Sequence, residues 1–226
     1  MFGLFDPLYL MLLAPALVLS VLASIWVKSS FSKWSKRGLS SQISGAQAAR
    51  AILDASGLSN VRIERVSGWL SDHYDPAHKT LRLSPQVHDG RSVASVGVAA
   101  HEAGHALQDK ERYAPLVWRT SLVPVASIGS NLTWVLIIAG MFLHITQLYT
   151  AAVVLFSAVV IFQLVTLPVE FNASSRAKAA LTQHGIVSLS EAEGVNNVLT
   201  AAAMTYVAAA LTAVLQLVYF ILRARD

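Results

Sequence analysis

The chain has 226 residues, of which 54% are hydrophobic and only 13% charged, with a net charge of +4. Soluble domains carry roughly 25% charged residues, so the composition excludes an ordinary soluble domain and describes a membrane protein with a modest polar part. There is no cysteine, which excludes disulfides and thiolate metal ligands and leaves histidine and carboxylate.

Residues of about 8–27 carry no charge and are long enough to cross a bilayer core. A cleaved signal peptide would need a basic start and a shorter apolar run; residues 1–6 hold no Lys or Arg, so the segment reads as a retained span. Lys28, Lys33, Lys36 and Arg37 follow it, which places that end in the cytoplasm by the positive-inside rule. The basic excess therefore reads as membrane orientation. No basic stretch interleaved with aromatics suggests nucleic-acid binding.

A polar insert follows, to about residue 120. Ser44-Gly45-Ala46-Gln47 reads as a capping box, opening a helix that Gly57 ends. Val61 to Val66 alternates apolar and polar residues as a strand does. Residues 72–83 read as a hairpin turning at Asp75-Pro76 and stopped by Ser84-Pro85. The next helix carries His101-Glu102-Ala103-Gly104-His105, with Ser92 or Ser95 as its cap.

This HExxH pattern is the centre of the sequence. On a helix, His101 and His105 lie one turn apart on one face and can chelate one Zn2+, while Glu102 can lean toward a water at that ion. Val96, Ala100 and Leu107 make an apolar stripe beside them. Gly104 costs about 1 kcal/mol relative to alanine in a helix, which suits a place where another element passes close to the ligands.

Three more spans are expected, at about 122–143, 148–167 and 201–222. Pro168 marks the exit of the third, a polar helix runs over about 170–183, and Ser190-Glu191-Ala192-Glu193 reads as a second capping box before the last span. The expected division is 1–27 as first span, 28–120 as insert, 121–167 as membrane hairpin, 168–200 as connection and 201–226 as last span.

A zinc site of this kind needs a third protein ligand. Glu111 stands where some HExxH proteins have a third histidine, but no glycine breaks the helix before it, so it should point away from His105. His73, Asp72, Asp75, Glu170 and His184 remain. Glu170 is preferred: two crossings after the HExxH helix return it to the same membrane side, and a carboxylate at a membrane boundary is costly unless paired or ligated. His73, Tyr74, Arg176 and Tyr206 are candidate donors to a tetrahedral oxyanion, with His73 favoured.

The stretches Asp72-His73-Tyr74-Asp75-Pro76, Leu81-Arg82-Leu83-Ser84, Gly97 to Gln108 and Pro168 to Arg176 resemble the YugP-type neutral zinc metallopeptidases, across nearly the whole chain. The arrangement also looks like the membrane zinc proteases of the HtpX and CAAX-prenyl-protease kind. That resemblance implies His101, His105 and Glu170 as ligands and Glu102 as general base. Where the HtpX pattern has an aspartate orienting a ligand histidine, this chain has Ser174, so Ser174 or Asn172 is expected in that role.

The expected protein is thus mainly α, with four transmembrane helices and a small α+β zincin-like domain carrying HExxH. Its expected activity is zinc-dependent hydrolysis of protein or peptide substrates, in a multi-pass cell-membrane protein with the active site on the cytoplasmic side. A partner membrane protein is left open. The alternative is a non-catalytic zinc-binding membrane scaffold or regulatory subunit, which would not need Glu102. A small transporter would place charges inside the spans, and none is found there.

Overall fold

A computed structural model describes residues 6–225; residues 1–5 and 226, the ends of the first and last expected spans, lie outside the described residues. The elements in order are α1 (Pro7–Ser35), α2 (Gly45–Ala55), β1 (Arg62–Arg65), β2 (His73–Asp75), β3 (Thr80–Leu83), α3 (Pro85–His88), α4 (Val93–Lys110), α5 (Ala114–Leu143), α6 (Thr146–Gln183) and α7 (Leu189–Arg225). Four of them, α1, α5, α6 and α7, are long and apolar enough to cross a membrane. The described residues fold as two compact units, one of residues 6–24, 114–168 and 204–225, the other of residues 25–113 and 169–203.

The first unit has a small apolar core of Ile137, Ala152, Phe156, Val160, Ala213, Tyr219 and Phe220. Many of its other apolar side chains point outward, as expected of helices whose solvent is lipid: Val21, Ile128, Val154 and Phe142 are all exposed. The ends of α1 and α7 meet where Arg223 pairs with Asp6 and the Tyr219 hydroxyl donates to the same carboxylate at 3.0 Å. Asp6 is buried and would be costly there without these partners.

The second unit buries α2 and α4 against each other and against the sheet. The Ser44 box forms in full: the Ser44 hydroxyl accepts from the Gln47 amide, and the Gln47 side chain accepts from the Ser44 amide at 2.8 Å. The expected hairpin pairs β2 with β3, antiparallel. β1 joins the other edge of β3 in parallel, giving the order β1-β3-β2. Alternation identifies β1 but not its neighbour, because a parallel partner is chosen by the crossover, here residues 66–79 with β2 inside them, and not by a local turn. Ser92, of the two serines expected, caps α4, accepting from the Ser95 amide.

The structure differs from the sequence reading in four places. α6 runs unbroken through Pro168, where an exit and a separate helix were expected. Proline removes one helical hydrogen bond, but Thr166, Val169, Glu170 and Ala173 are all buried around it, and packing carries the helix through. α7 begins at Leu189, one residue before the expected box: Ser188 donates from both its amide and its hydroxyl to Glu191, each at 2.7 Å, so the cap falls on Ser188, two residues before Ser190. α5 starts at Ala114, ahead of the apolar run, with Pro115 in its first turn, where a missing amide costs nothing. Finally, the short helix α3 stands between β3 and α4.

Candidate metal centre

Helix α4 supplies the first half of the site and the stretch of α6 after Pro168 the second, both within the second unit. Gly104 makes their approach possible. A Cβ at that position would stand 2.6 Å from the Ala173 carbonyl oxygen, so only glycine lets the α6 backbone lie across the turn between the two histidines.

At that crossing, His101, His105 and Glu170 converge, with one potential ligand atom from each lying within 4.8 Å of the others. His101 Nε2 is 3.2 Å and His105 Nε2 3.6 Å from Glu170 Oε2. Ligands at zinc's usual bond lengths of about 2.0–2.2 Å, set tetrahedrally, stand about 3.4 Å apart. The two histidine-to-Glu170 separations are those of ligands on a tetrahedral ion of that size, and all three ligand atoms lie within 4.8 Å of one another. Burial resists charge on the His105 imidazole, but its hydrogen bond to Glu170 and the Glu102 and Glu170 carboxylates outweigh that and raise its pKa above the ordinary value. The pocket favours positive charge, which is what a cation site needs.

Each imidazole is held from behind. His101 Nδ1 lies 3.1 Å from the Ser174 hydroxyl, one turn after Glu170. His105 Nδ1 lies 2.9 Å from Gln108 Oε1. Gln108 is completely buried and donates to the Val169 carbonyl at 2.8 Å and to Asn172 Oδ1 at 2.9 Å. Asn172 Oδ1 also accepts from Arg176 Nε at 2.7 Å, and Arg176 makes a two-pronged ion pair with Glu111, both contacts 2.7 Å. The guanidinium holds the Glu111 carboxyl below its usual range.

Of the residues singled out in the sequence, the structure brings together His101, His105, Glu170 and Ser174, with Glu102 buried on the same helix. Asn172 reaches the site through Gln108. Glu111 caps the end of α4 and faces Arg176. His73 lies on β2, exposed, with Nδ1 2.8 Å from the Ser71 carbonyl oxygen. Asp72 accepts from the Ser84 amide and hydroxyl, and Asp75 pairs with Arg82 and His78. Both carboxylates thus hold the hairpin and its exit. The Tyr74 hydroxyl donates to Asp109 at 2.7 Å, tying the hairpin to the last turn of α4, and burial first, then that carboxylate, raises its pKa. Gln108 is the residue that sequence reading passed over. Its signal was present: it lies three residues after His105, on the same helical face.

A largely buried His–His–Glu cluster formed by an HExxH helix and a crossing helix, in a chain with four helices long and apolar enough to cross a membrane, defines the class: a helical protein with candidate membrane spans built around a candidate metal centre. The chain belongs to the family described as "Putative neutral zinc metallopeptidase", which matches it over residues 9–225. It is 48% identical over 215 residues, 95% of its own length and 96% of the relative's, to the "Putative membrane protease YugP" of Bacillus subtilis (strain 168). No solved structure matches the chain.

Proposed function

We propose that this protein is a membrane-integrated zinc metalloendopeptidase whose ligands are His101, His105 and Glu170 and whose general base is Glu102. The observation that carries the reading is the convergence of the three ligand atoms between α4 and α6, with both histidine-to-Glu170 separations near those of a tetrahedral zinc site. Zinc held there supplies Lewis acidity, polarising a scissile carbonyl and lowering the pKa of water toward about 7.

The chain's own groups do the rest. Glu170 brings one negative charge to the cluster, so the two neutral imidazoles and one carboxylate leave a bound divalent cation partly uncompensated and still electrophilic. Glu102, adjacent to His101 on α4, takes the proton of the attacking water and passes it to the leaving amine. Ser174 and Gln108 orient the two imidazoles. His73 is the proposed donor to the oxyanion, reaching it from β2 when a substrate is present.

The site is proposed to face the cytoplasm, at the membrane surface, toward segments that emerge from the bilayer or lie along it. Lys28, Lys33, Lys36 and Arg37 support that orientation. The presence of His101 and Glu170 in one unit supports an even number of crossings between them, whichever side they face, because an odd number would separate them by roughly 30 Å of hydrocarbon.

The experiment is zinc analysis and casein cleavage by the detergent-purified full chain beside Glu102→Gln, Glu170→Ala and Glu111→Ala. Glu102→Gln should keep zinc and lose about 10²–10⁴-fold in rate, the usual contribution of a general base. Glu170→Ala should lose zinc, and Glu111→Ala should keep it. Parental cleavage by Glu102→Gln would overturn the mechanism. Zinc without cleavage in every form would favour the non-catalytic scaffold.

A further inference from the structure

We infer that Gln108 is a positioning residue that fixes the tautomer of His105, holding its proton on Nδ1 so that Nε2 presents a bare lone pair to the cation. The inference rests on the reading of the cluster as a zinc centre.

A hydrogen-bond chain runs from Arg176 through Asn172 and Gln108 to His105. Arg176 can only donate, so Asn172 must present its oxygen to Arg176 Nε. The same oxygen and the Val169 carbonyl both lie against Gln108 Nε2, and neither can donate. The Gln108 amide is therefore turned with its NH2 toward α6 and its oxygen toward His105, 2.9 Å from Nδ1. An oxygen there accepts, so Nδ1 carries the hydrogen. Glu111 grips the far end of the chain through Arg176.

All three groups of a wholly buried amide are thus satisfied, and every bond but the one to His105 goes to α6. A role in packing α4 onto α6 would need only the two donated bonds. The accepted bond is the one aimed at the ligand. His101 is held differently: its partner is a hydroxyl, which can donate or accept and so leaves the tautomer open. Of the two ligand histidines, His105 is the one whose tautomer the protein dictates.

The test uses the detergent-purified full chain with Zn2+ alone as probe, in competition with a chelator of known affinity. Gln108→Met keeps the volume and removes the acceptor. It should bind zinc about 10–100-fold more weakly, the usual effect of losing an outer partner of a ligand. Helix content should stay at the parental value, because Val169 lies inside α6 and Asn172 keeps Arg176. Gln108→Glu keeps the acceptor and loses both donors, so it should bind zinc more tightly than Gln108→Met. A packing role gives the opposite order, since a buried carboxylate facing two oxygens costs more than a thioether.

Nitrogen NMR of the zinc-loaded parent, with ring-labelled histidine and the His105 signals identified by their loss in His105→Gln, supplies a check that needs no Gln108 variant. It should find the proton on Nδ1 and the metal on Nε2 of His105. Unchanged zinc affinity in Gln108→Met, the reversed order, or metal on Nδ1 would overturn the inference while the zinc reading stands. A parent chain that binds no zinc would remove both.

Discussion

The Cα of Gly104 faces the carbonyl oxygen of Ala173 so closely that a methyl group on it would lie 2.6 Å from that oxygen. Gly104 sits between the two histidines on α4, and Ala173 sits between Glu170 and Ser174 on α6. One backbone-to-backbone approach therefore sets the distance between both halves of the candidate centre.

Gly104→Ala tests this directly. Alanine is the better helix former by about 1 kcal/mol, so α4 itself should not suffer. The clash is with backbone, which cannot swing aside as a side-chain end would, and overpacking of this kind costs about 1–3 kcal/mol. α6 should shift outward, carrying Glu170 and Ser174 with it. Zinc affinity should fall at least about tenfold, as when ligand geometry is disturbed, with helix content unchanged by circular dichroism. Parental zinc affinity would show that the approach has slack.

The hairpin beside α4 should respond to acid. Asp75 is held well below the usual carboxylate range, chiefly by the Arg82 guanidinium and then by His78. Its folded pKa is lower than its unfolded one, so its contribution is present above the ordinary value of about 3.9 and is lost as pH falls below it. The parent should keep its thermal midpoint from pH 7 to about pH 5 on this account and lose part of it by about pH 3. Asp75→Asn, which cannot titrate there, should show a smaller drop over the same interval. Equal drops would mean that the Asp75 pair does not couple to folding.

Membrane topology is testable because the chain has no cysteine. Glu191 accepts from the Ser40 amide at 2.7 Å and from the Ser188 amide at 2.7 Å, so residues 40 and 188 must lie on one side of any bilayer. Single cysteines at Ser41, Gln147 and Ser190, all exposed positions, report on both faces. With a membrane-impermeant thiol reagent on intact cells, only Gln147→Cys should react. Reaction at both Ser41→Cys and Ser190→Cys instead would turn the protein over and move the proposed activity outside the cell. Reaction at one of those two alone would contradict the Glu191 bridge.

Much of the protein is decided by sequence alone. Hydropathy specifies four spans because a lipid-facing helix needs about 20 apolar residues, and nothing distant can substitute for them. The Ser44 box, the β2–β3 hairpin and the HExxH face are equally local, each resting on residues within one turn or one loop. Glu170 was legible as a candidate because counting crossings is also a sequence operation, and Glu111 could be set aside because a helix without glycine does not bend back.

What only the tertiary structure decided lies where two distant segments meet. Pro168 looks like a terminator in sequence, yet packing of Val169, Glu170 and Ala173 carries α6 through it. Gln108 looks like a neutral polar residue until Asn172, 64 positions later, lies 2.9 Å away and fixes which end of its amide faces His105. Gly104 looks like a weak point in α4 until the Ala173 carbonyl occupies the space that a side chain would fill. In each case the local energy, about 1–3 kcal/mol for a glycine or proline in a helix, is smaller than what burial and hydrogen bonding between helices can return. That balance depends on a partner whose place along the chain bears no relation to its place in the fold.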